Sequence, residues 1–228
     1  MNFKRILLKL SGESLSEGFG INKGKCEYVS HTIKKIVDSG IELAIVIGAG
    51  NFWRGRTGTE ISRVKSDQMG MLSTVMNAIC LSDFLEREGI NVLIQSSIQI
   101  SGVVKQFWLQ DTLSSLEKHD VVIFSCGTGS PFFSTDTCAS LRACEIHADA
   151  ILKATTVDGI YTSDPKIDKS AKKYDSITFD EVIQNNLNVM DMSAFSICRE
   201  NNVPILVFSF DDIERAISGE KIGTLVSN

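Results

Sequence analysis

Leu43–Ile47 (LAIVI) is an unbroken apolar run, β-branched over its last three residues, and it ends directly on Gly48-Ala49-Gly50. A strand without polar alternation has no face for water and must be buried on both sides. That is the condition of an inner strand in a parallel sheet covered by helices. The rest of the chain fits around it. Ile6–Leu10 (ILLKL), Val92–Ile94, Val121–Phe124, Ile151–Leu152, Ile205–Phe208 (after Pro204) and Thr224–Val226 read as further strands. Residues 25–39 carry Val29, Ile33, Ile36 and Val37 at helical spacing. The spacing also predicts a long helix over 67–88, with Met71, Leu72, Val75, Met76, Ile79 and Leu85 on one side. Shorter helices are expected near 107–117, 136–147, 191–201 and 211–218, and Thr178 with Glu181 stands at capping-box spacing. Asp158-Gly159 between Val157 and Ile160 predicts a β-hairpin. The alternation predicts an α/β fold, a three-layer αβα sandwich with a mainly parallel central sheet, in one domain spanning 1–228.

Composition removes several other classes. Of 228 residues, 43% are hydrophobic and 22% charged, with 17 Gly and 3 Pro and no low-complexity segment, which excludes a disordered or fibrous chain. The longest apolar and glycine run, Leu43 to Gly50, is far short of the roughly 18 residues of a membrane helix. Lys9 interrupts the apolar run of the N-terminus and no small-residue cleavage site follows, so no export signal is read and a cytoplasmic location is expected. A net charge of −5 without a basic stripe argues against nucleic acid as the main ligand. The six cysteines form no C-x-x-C pair and read as reduced thiols; Cys144 and His147 have no further histidine near them in sequence to complete a metal site.

In open α/β sheets ligands bind beyond the carboxyl ends of the strands. Four of those ends are rich in Gly, Ser and Thr. Lys9-Leu10-Ser11-Gly12-Glu13 follows the first strand, where a lysine needs an anionic partner, either a phosphate or a local carboxylate such as Glu13. Gly48-Ala49-Gly50-Asn51-Phe52-Trp53-Arg54-Gly55 lets backbone N–H groups approach a phosphate that Arg54 can grip, or is a tight turn. It is neither G-x-G-x-x-G nor a P-loop. Gly127 to Asp136 offers two aromatic residues to a flat base, a hydroxyl at Thr135, and a carboxylate at Asp136 that suits a magnesium-bound polyphosphate or caps the next helix. Lys153 to Pro165 offers Tyr161 as a stacking wall and Asp164 as a hydroxyl acceptor, or is an ordinary hairpin. Asp67, on spacing alone, reads as a helix N-cap. With three scattered histidines and no Ser-His-Asp or Cys-His set, phosphoryl transfer is the favoured chemistry, since it depends on positioning and charge neutralisation.

KLSGE (9–13), GFGI (18–21), IGAGNFWRG (47–55), DQMGMLSTVMNA (67–78), GTGSPFFSTD (127–136), KATTVDGIYTSDP (153–165) and VMDMSAF (189–195), in this order, resemble the bacterial uridylate kinases of the amino acid kinase superfamily. The resemblance implies transfer of the ATP γ-phosphoryl group to UMP with Mg2+, in pyrimidine nucleotide biosynthesis. It implies that Lys9, Leu10, Ser11 and Gly12 hold the ATP phosphates, with Gly50 and Arg54 where the two nucleotides meet, and that Thr155, Tyr161 and Asp164 hold the adenosine half. UMP would meet Ala49, Arg54, Asp67 (at the ribose hydroxyls), Thr128, Gly129, Ser130, Pro131, Phe132, Phe133, Ser134 and Thr135. Lys9 and Asp136 would be the catalytic pair, Asp136 also organising magnesium. The UMP-side elements would lie mainly in the N-terminal half and the ATP side after residue 150. A homohexamer with UTP feedback inhibition is implied as well. The sequence departs from the family pattern at Ala49, commonly glycine, at Ser130, usually asparagine, and in a loop between Glu13 and Gly18 shorter than in GTP-activated members, so GTP activation is not carried over. The other readings are a kinase of this fold acting on another small acceptor (a carboxylate, carbamate or phosphonate) and a UMP-sensing non-catalytic homologue.

Overall fold

A computed structural model describes residues 3–53, 61–165, 167–187 and 189–228. Among these residues nine strands form one sheet: β1 (Arg5–Leu10), β2 (Glu42–Ile47), β3 (Val92–Ser96), β4 (Lys105–Gln106), β5 (Val121–Ser125), β6 (Ala150–Thr155), β7 (Ser176–Thr178), β8 (Ile205–Ser209) and β9 (Thr224–Ser227). Their order is β4-β3-β5-β2-β1-β6-β8-β9-β7, and every neighbouring pair is parallel except β8 with β9. The helices are α1 (Lys23–Asp38), α2 (Arg63–Arg87), α3 (Leu109–Leu116), α4 (Thr135–Glu145), α5 (Phe179–Gln184), α6 (Met192–Asn201) and α7 (Ile213–Ile217), with a short 3-10 turn at Gly12–Leu15.

Alternation along the strands builds two cores. Ile6, Leu8 and Leu10 of β1 point to one face and pack with Ile33 and Ile36 of α1, Leu81 and Leu85 of α2, and Ile213 of α7. Leu7 points to the other, with Val46 of β2, Ile151 of β6, Ala139 and Ala143 of α4, and Phe195 of α6. All six residues of β2 are buried, as its unbroken apolar run requires. The result is the three-layer αβα sandwich with a mainly parallel sheet.

Local signals set several boundaries. Asn22 caps α1 by accepting from Lys25 N–H at 3.0 Å, and Gly40, at φ +81, ends the helix in the left-handed region that glycine enters without strain. The capping box at Thr178 and Glu181 is formed in both directions. All six cysteines are free thiols.

Three expectations are corrected. The Asp158-Gly159 turn closes no hairpin: Val157 stays out of the sheet because β6 already lies between β1 and β8. The segment after the turn pairs instead with 172–174, through Thr162 N–H to Lys172 O at 3.0 Å and Tyr174 N–H to Ile160 O at 2.9 Å. Asp67 is not an N-cap, since α2 begins at Arg63 after Ser62. The apolar residues of α2 also divide between two faces. Met71, Val75, Leu81 and Leu85 are buried, whereas Leu72 (51% exposed), Met76 (50%) and Ile79 (42%) form an outer stripe with Met69. Both sets repeat at helical spacing, so periodicity cannot say which one faces the sheet.

Candidate active site

The chain runs from β1 to β2 on one side and returns to β6 on the other, so the strand order reverses at β1 and the carboxyl ends of β5, β2, β1 and β6 lie side by side. The segments read from the sequence as ligand-binding therefore meet along one edge. Gly12 shows how closely they pack. A Cβ there would collide with Asn51 Oδ1 and stand 2.7 Å from Gly48 O and 2.9 Å from Gly50 N, so the loops after β1 and β2 are in direct backbone contact. The second loop is fixed by two buried amides: Asn51 and Asn77 exchange hydrogen bonds at 2.8 and 2.9 Å, while Asn77 also donates to Gly48 O at 2.8 Å and Asn51 to Gly20 O at 2.8 Å. Leu10 is fully buried, its side chain in the α1 core and its carbonyl accepting from Gly48 N–H.

Beneath this edge lies a buried charge cluster. Lys9 of β1 and Lys153 of β6 are direct register partners and project to the same face, under the first turn of α4. Two ammoniums side by side repel, and Asp136 lies between them: Lys153 Nζ donates to Oδ2 at 2.7 Å, and Lys9 Nζ is 2.9 Å from Oδ1. Lys9 thus pairs across the fold with Asp136 rather than with Glu13. Burial pushes the Asp136 carboxyl up, but the charges of Lys9 and then Lys153 outweigh it and hold it down at about 2. Burial, followed by the charge of Lys9, pushes the Lys153 ammonium down to about 8 in spite of Asp136. Asp136 is the carboxylate that both lysines contact, and the charge of Asp191 also acts on Lys153. The N-cap of α4 is Ser134, whose Oγ accepts from Asp136 N–H at 3.0 Å and Thr137 N–H at 3.4 Å, so Asp136 itself is free to face the lysines.

A cleft of about 150 Å3 opens beside this cluster, walled by Ala49, Trp53, Arg63, Asp67, Thr128, Phe133, Ser134 and Thr135 among others. Asp67 accepts from Arg63 Nε and from Phe132 N–H, both at 2.8 Å, tying α2 to the loop after β5. Gly129, Ser130, Pro131 and Phe132 do not wall the cleft; the Phe132 ring lies 5.4 Å from the Arg63 guanidinium. A second cleft, about 640 Å3, is walled by Thr155, Tyr161 and Asp164 with Asn186 and Val189. Thr155 also walls a third, about 310 Å3, with Ser11, Glu13 and Phe210, so this one threonine bounds both hollows. Arg54 lies outside the described residues.

The amino acid kinase family model matches residues 4–209. The chain belongs to the amino acid kinase family. The structure of UMP kinase from Bacillus anthracis superposes with a TM-score of 0.97 at 38% identity, covering 100% of this chain and 97% of that one. UMP kinase from Ureaplasma parvum gives 0.93 at 36% identity, with both chains covered in full. Uridylate kinase from Archaeoglobus fulgidus gives 0.75 at 26% identity over 97% and 99%.

For this amino acid kinase, the sequence reading named Lys9 and Asp136 but missed Lys153, Trp53, Arg63, Asn51 and Asn77 as parts of the site. Lys153 had a signal: it stands in ILKAT as Lys9 stands in ILLKL, a single cation inside an apolar strand. Arg63 had one too, four residues before Asp67 on the same helix face. Asn51 and Asn77 lie inside the segments IGAGNFWRG and DQMGMLSTVMNA, but nothing in the sequence marks their pairing, which joins a loop to a helix 26 positions away.

Proposed function

We propose that the chain transfers the γ-phosphoryl group of ATP to UMP, giving UDP and ADP. The observation that carries this reading is the Lys9–Asp136–Lys153 cluster, two lysines converging on one carboxylate, beside the cleft walled by Asp67, Phe133 and Thr135. Above pH 7 a phosphate monoester is largely a dianion (pKa about 6) and is already nucleophilic. The barrier is the repulsion between two polyanions, together with their alignment. Lys9 and Lys153 neutralise charge at the transferring phosphoryl group. Asp136 keeps both ammoniums aimed at one point, and the N-terminus of α4 adds N–H dipoles of the same sign.

UMP is assigned to the smaller cleft, with Asp67 at the ribose and Phe133 and Trp53 as aromatic walls. ATP is assigned to the clefts on either side of Thr155, with Tyr161 and Asp164 at the adenosine and Ser11 and Gly12 at the phosphates. A carboxylate acceptor would have no use for the aromatic walls.

Magnesium would arrive on the ATP phosphates and supply further charge neutralisation there. Mg2+ keeps several waters and takes one or two carboxylates. Asp136 fits that need: its Oδ1 is buried and receives no well-directed hydrogen bond, although Lys9 is near. Among the described residues no three His, Cys, Asp or Glu side chains cluster as a protein-only metal cage.

The outer stripe of α2, from Met69 to Ile79, supports self-association and hence the expected homohexamer. Among the described residues no helix is long and apolar enough to cross a membrane, and a cytoplasmic location is proposed with the pyrimidine pathway role. The continuous nine-stranded sheet supports a single domain over 1–228. UTP, sharing base and ribose with UMP, is proposed as a feedback inhibitor.

A coupled ADP-release assay with UMP, CMP, dCMP, aspartate and glutamate tests the reading. UMP is expected to be strongly preferred; turnover of an amino acid with none of UMP refutes it.

A further inference from the structure

The loop after β5 has an unusual backbone. Cys126, Gly127, Gly129 and Phe132 all have positive φ, at +62, +54, +80 and +74. Two of these are not glycine, and such conformations persist only where the surroundings enforce them. On one side the enforcement comes from α2. Cys126 N–H donates to Thr74 Oγ1 at 2.7 Å, and that hydroxyl in turn donates to Met71 O at 2.6 Å.

The other side is held by a residue that no part of the reaction has used. Arg142 of α4 is buried, yet its Nε has no hydrogen-bond partner. Its guanidinium lies 3.5 Å from the Phe107 ring centroid and 5.6 Å from that of Phe124, its Nη1 pairs with Glu145, and its Nη2 donates to Ser97 Oγ at 3.1 Å. Ser97 Oγ in turn donates to Gly127 O at 2.6 Å. A guanidinium can only donate. Ser97 must therefore accept from it, which leaves the single hydroxyl proton for the Gly127 carbonyl. The contact continues two residues on, where a Cβ on Gly129 would stand 3.2 Å from both the Cβ and the carbonyl oxygen of Ser97.

We propose that Arg142 and Ser97 are positioning residues for the acceptor: a one-way relay, Arg142 N–H to Ser97 O–H to Gly127 C=O, sets the left-handed turn that presents Thr128 to UMP. This rests on the assignment of the smaller cleft to UMP. A buried arginine is weak evidence for stability, since apolar residues of similar volume often replace buried ions without loss. What it contributes here is direction, because a neutral side chain of the same bulk would let the Ser97 hydroxyl rotate away from Gly127.

The test is steady-state kinetics on the full chain with Ser97→Ala and Arg142→Met. Losing one directed hydrogen bond should raise the UMP KM roughly threefold to tenfold with the ATP KM unchanged, and Ser97→Ala, which leaves a buried Arg142 N–H without its acceptor, should also melt a few degrees lower while staying folded at the assay temperature. Ser97→Ala keeps the test decisive if Arg142→Met does not fold. An unchanged UMP KM in Ser97→Ala, or equal rises in both KM values, overturns the relay. Wild-type enzyme that turns over no UMP overturns the cleft assignment first, and the relay with it.

Discussion

The Lys153 ammonium, pushed down to about 8 by burial and the neighbouring Lys9, makes the proposed reaction sensitive to pH in a way that can be worked out beforehand. If Lys153 must be charged to receive the ATP phosphates, the competent fraction of free enzyme is about 90% at pH 7 and about 10% at pH 9. The value of kcat/KM for ATP, measured with UMP held well below its own KM, should therefore fall nearly tenfold between these pH values and bend near pH 8, since this ratio then reports groups of the free enzyme. Phosphate, with its second pKa near 6, does not titrate in the window. Stability should move the opposite way. The folded-state pKa lies below the ordinary 10.5, so the unfolded chain holds the extra proton between about pH 8 and 10.5, and the contribution of this group to stability rises with pH over that span. Loss of activity while stability holds or rises separates titration of Lys153 from alkaline unfolding. Asp136→Asn sharpens the test. Removing the one carboxylate between two buried ammoniums should lower stability by about 3–5 kcal/mol and move the bend below pH 8, because Asp136 holds the Lys153 pKa up. A kcat/KM profile flat from pH 7 to 9.5, or a bend that Asp136→Asn leaves in place, would refute the reasoning.

Three further substitutions probe other links. Lys9→Met should lower kcat by about 10²–10³-fold, the range seen on losing one transition-state donor, with the circular dichroism spectrum retained; an unchanged kcat removes Lys9 from the chemistry. Asp67→Asn should raise the UMP KM well above any change in the ATP KM, and equal rises would leave Asp67 only the tie to Arg63 and Phe132. Gly12→Ala forces apart the loops after β1 and β2, as its Cβ would stand 2.7 Å from Gly48 O. It should lower stability by about 1–3 kcal/mol and raise the ATP KM, while a melting temperature equal to wild type would show that the loops are not in contact.

The fold was legible where one strand or helix carried its own signal. β2 announced its burial by having no polar residue from Leu43 to Ile47, and α5 announced its start through Thr178 and Glu181. Elements whose existence depends on a distant partner were not legible. β4 and β7, two and three residues long, form only because β3 and β9 offer free edges. Asp158-Gly159 carried a strong local turn signal that the sheet overruled, since the neighbours of β6 were already in place and Ile160 instead donates to Thr224 Oγ1 at 2.8 Å. Helix α2 presents two stripes of equal periodicity, and only the position of the sheet decides between them.

The site divides the same way. Glycines and hydroxyls at strand ends could be read one segment at a time, because loop composition reports proximity to a ligand. The charge cluster could not, because its logic is a register. Lys9 and Lys153 are 144 positions apart and meet only because β1 and β6 pair in parallel with these two residues opposite each other. Read alone, each lysine asks for one carboxylate; read as a pair, they share Asp136. Under the proposed function, two ammoniums held at one point by a single shared carboxylate are what would receive the transferring phosphoryl group.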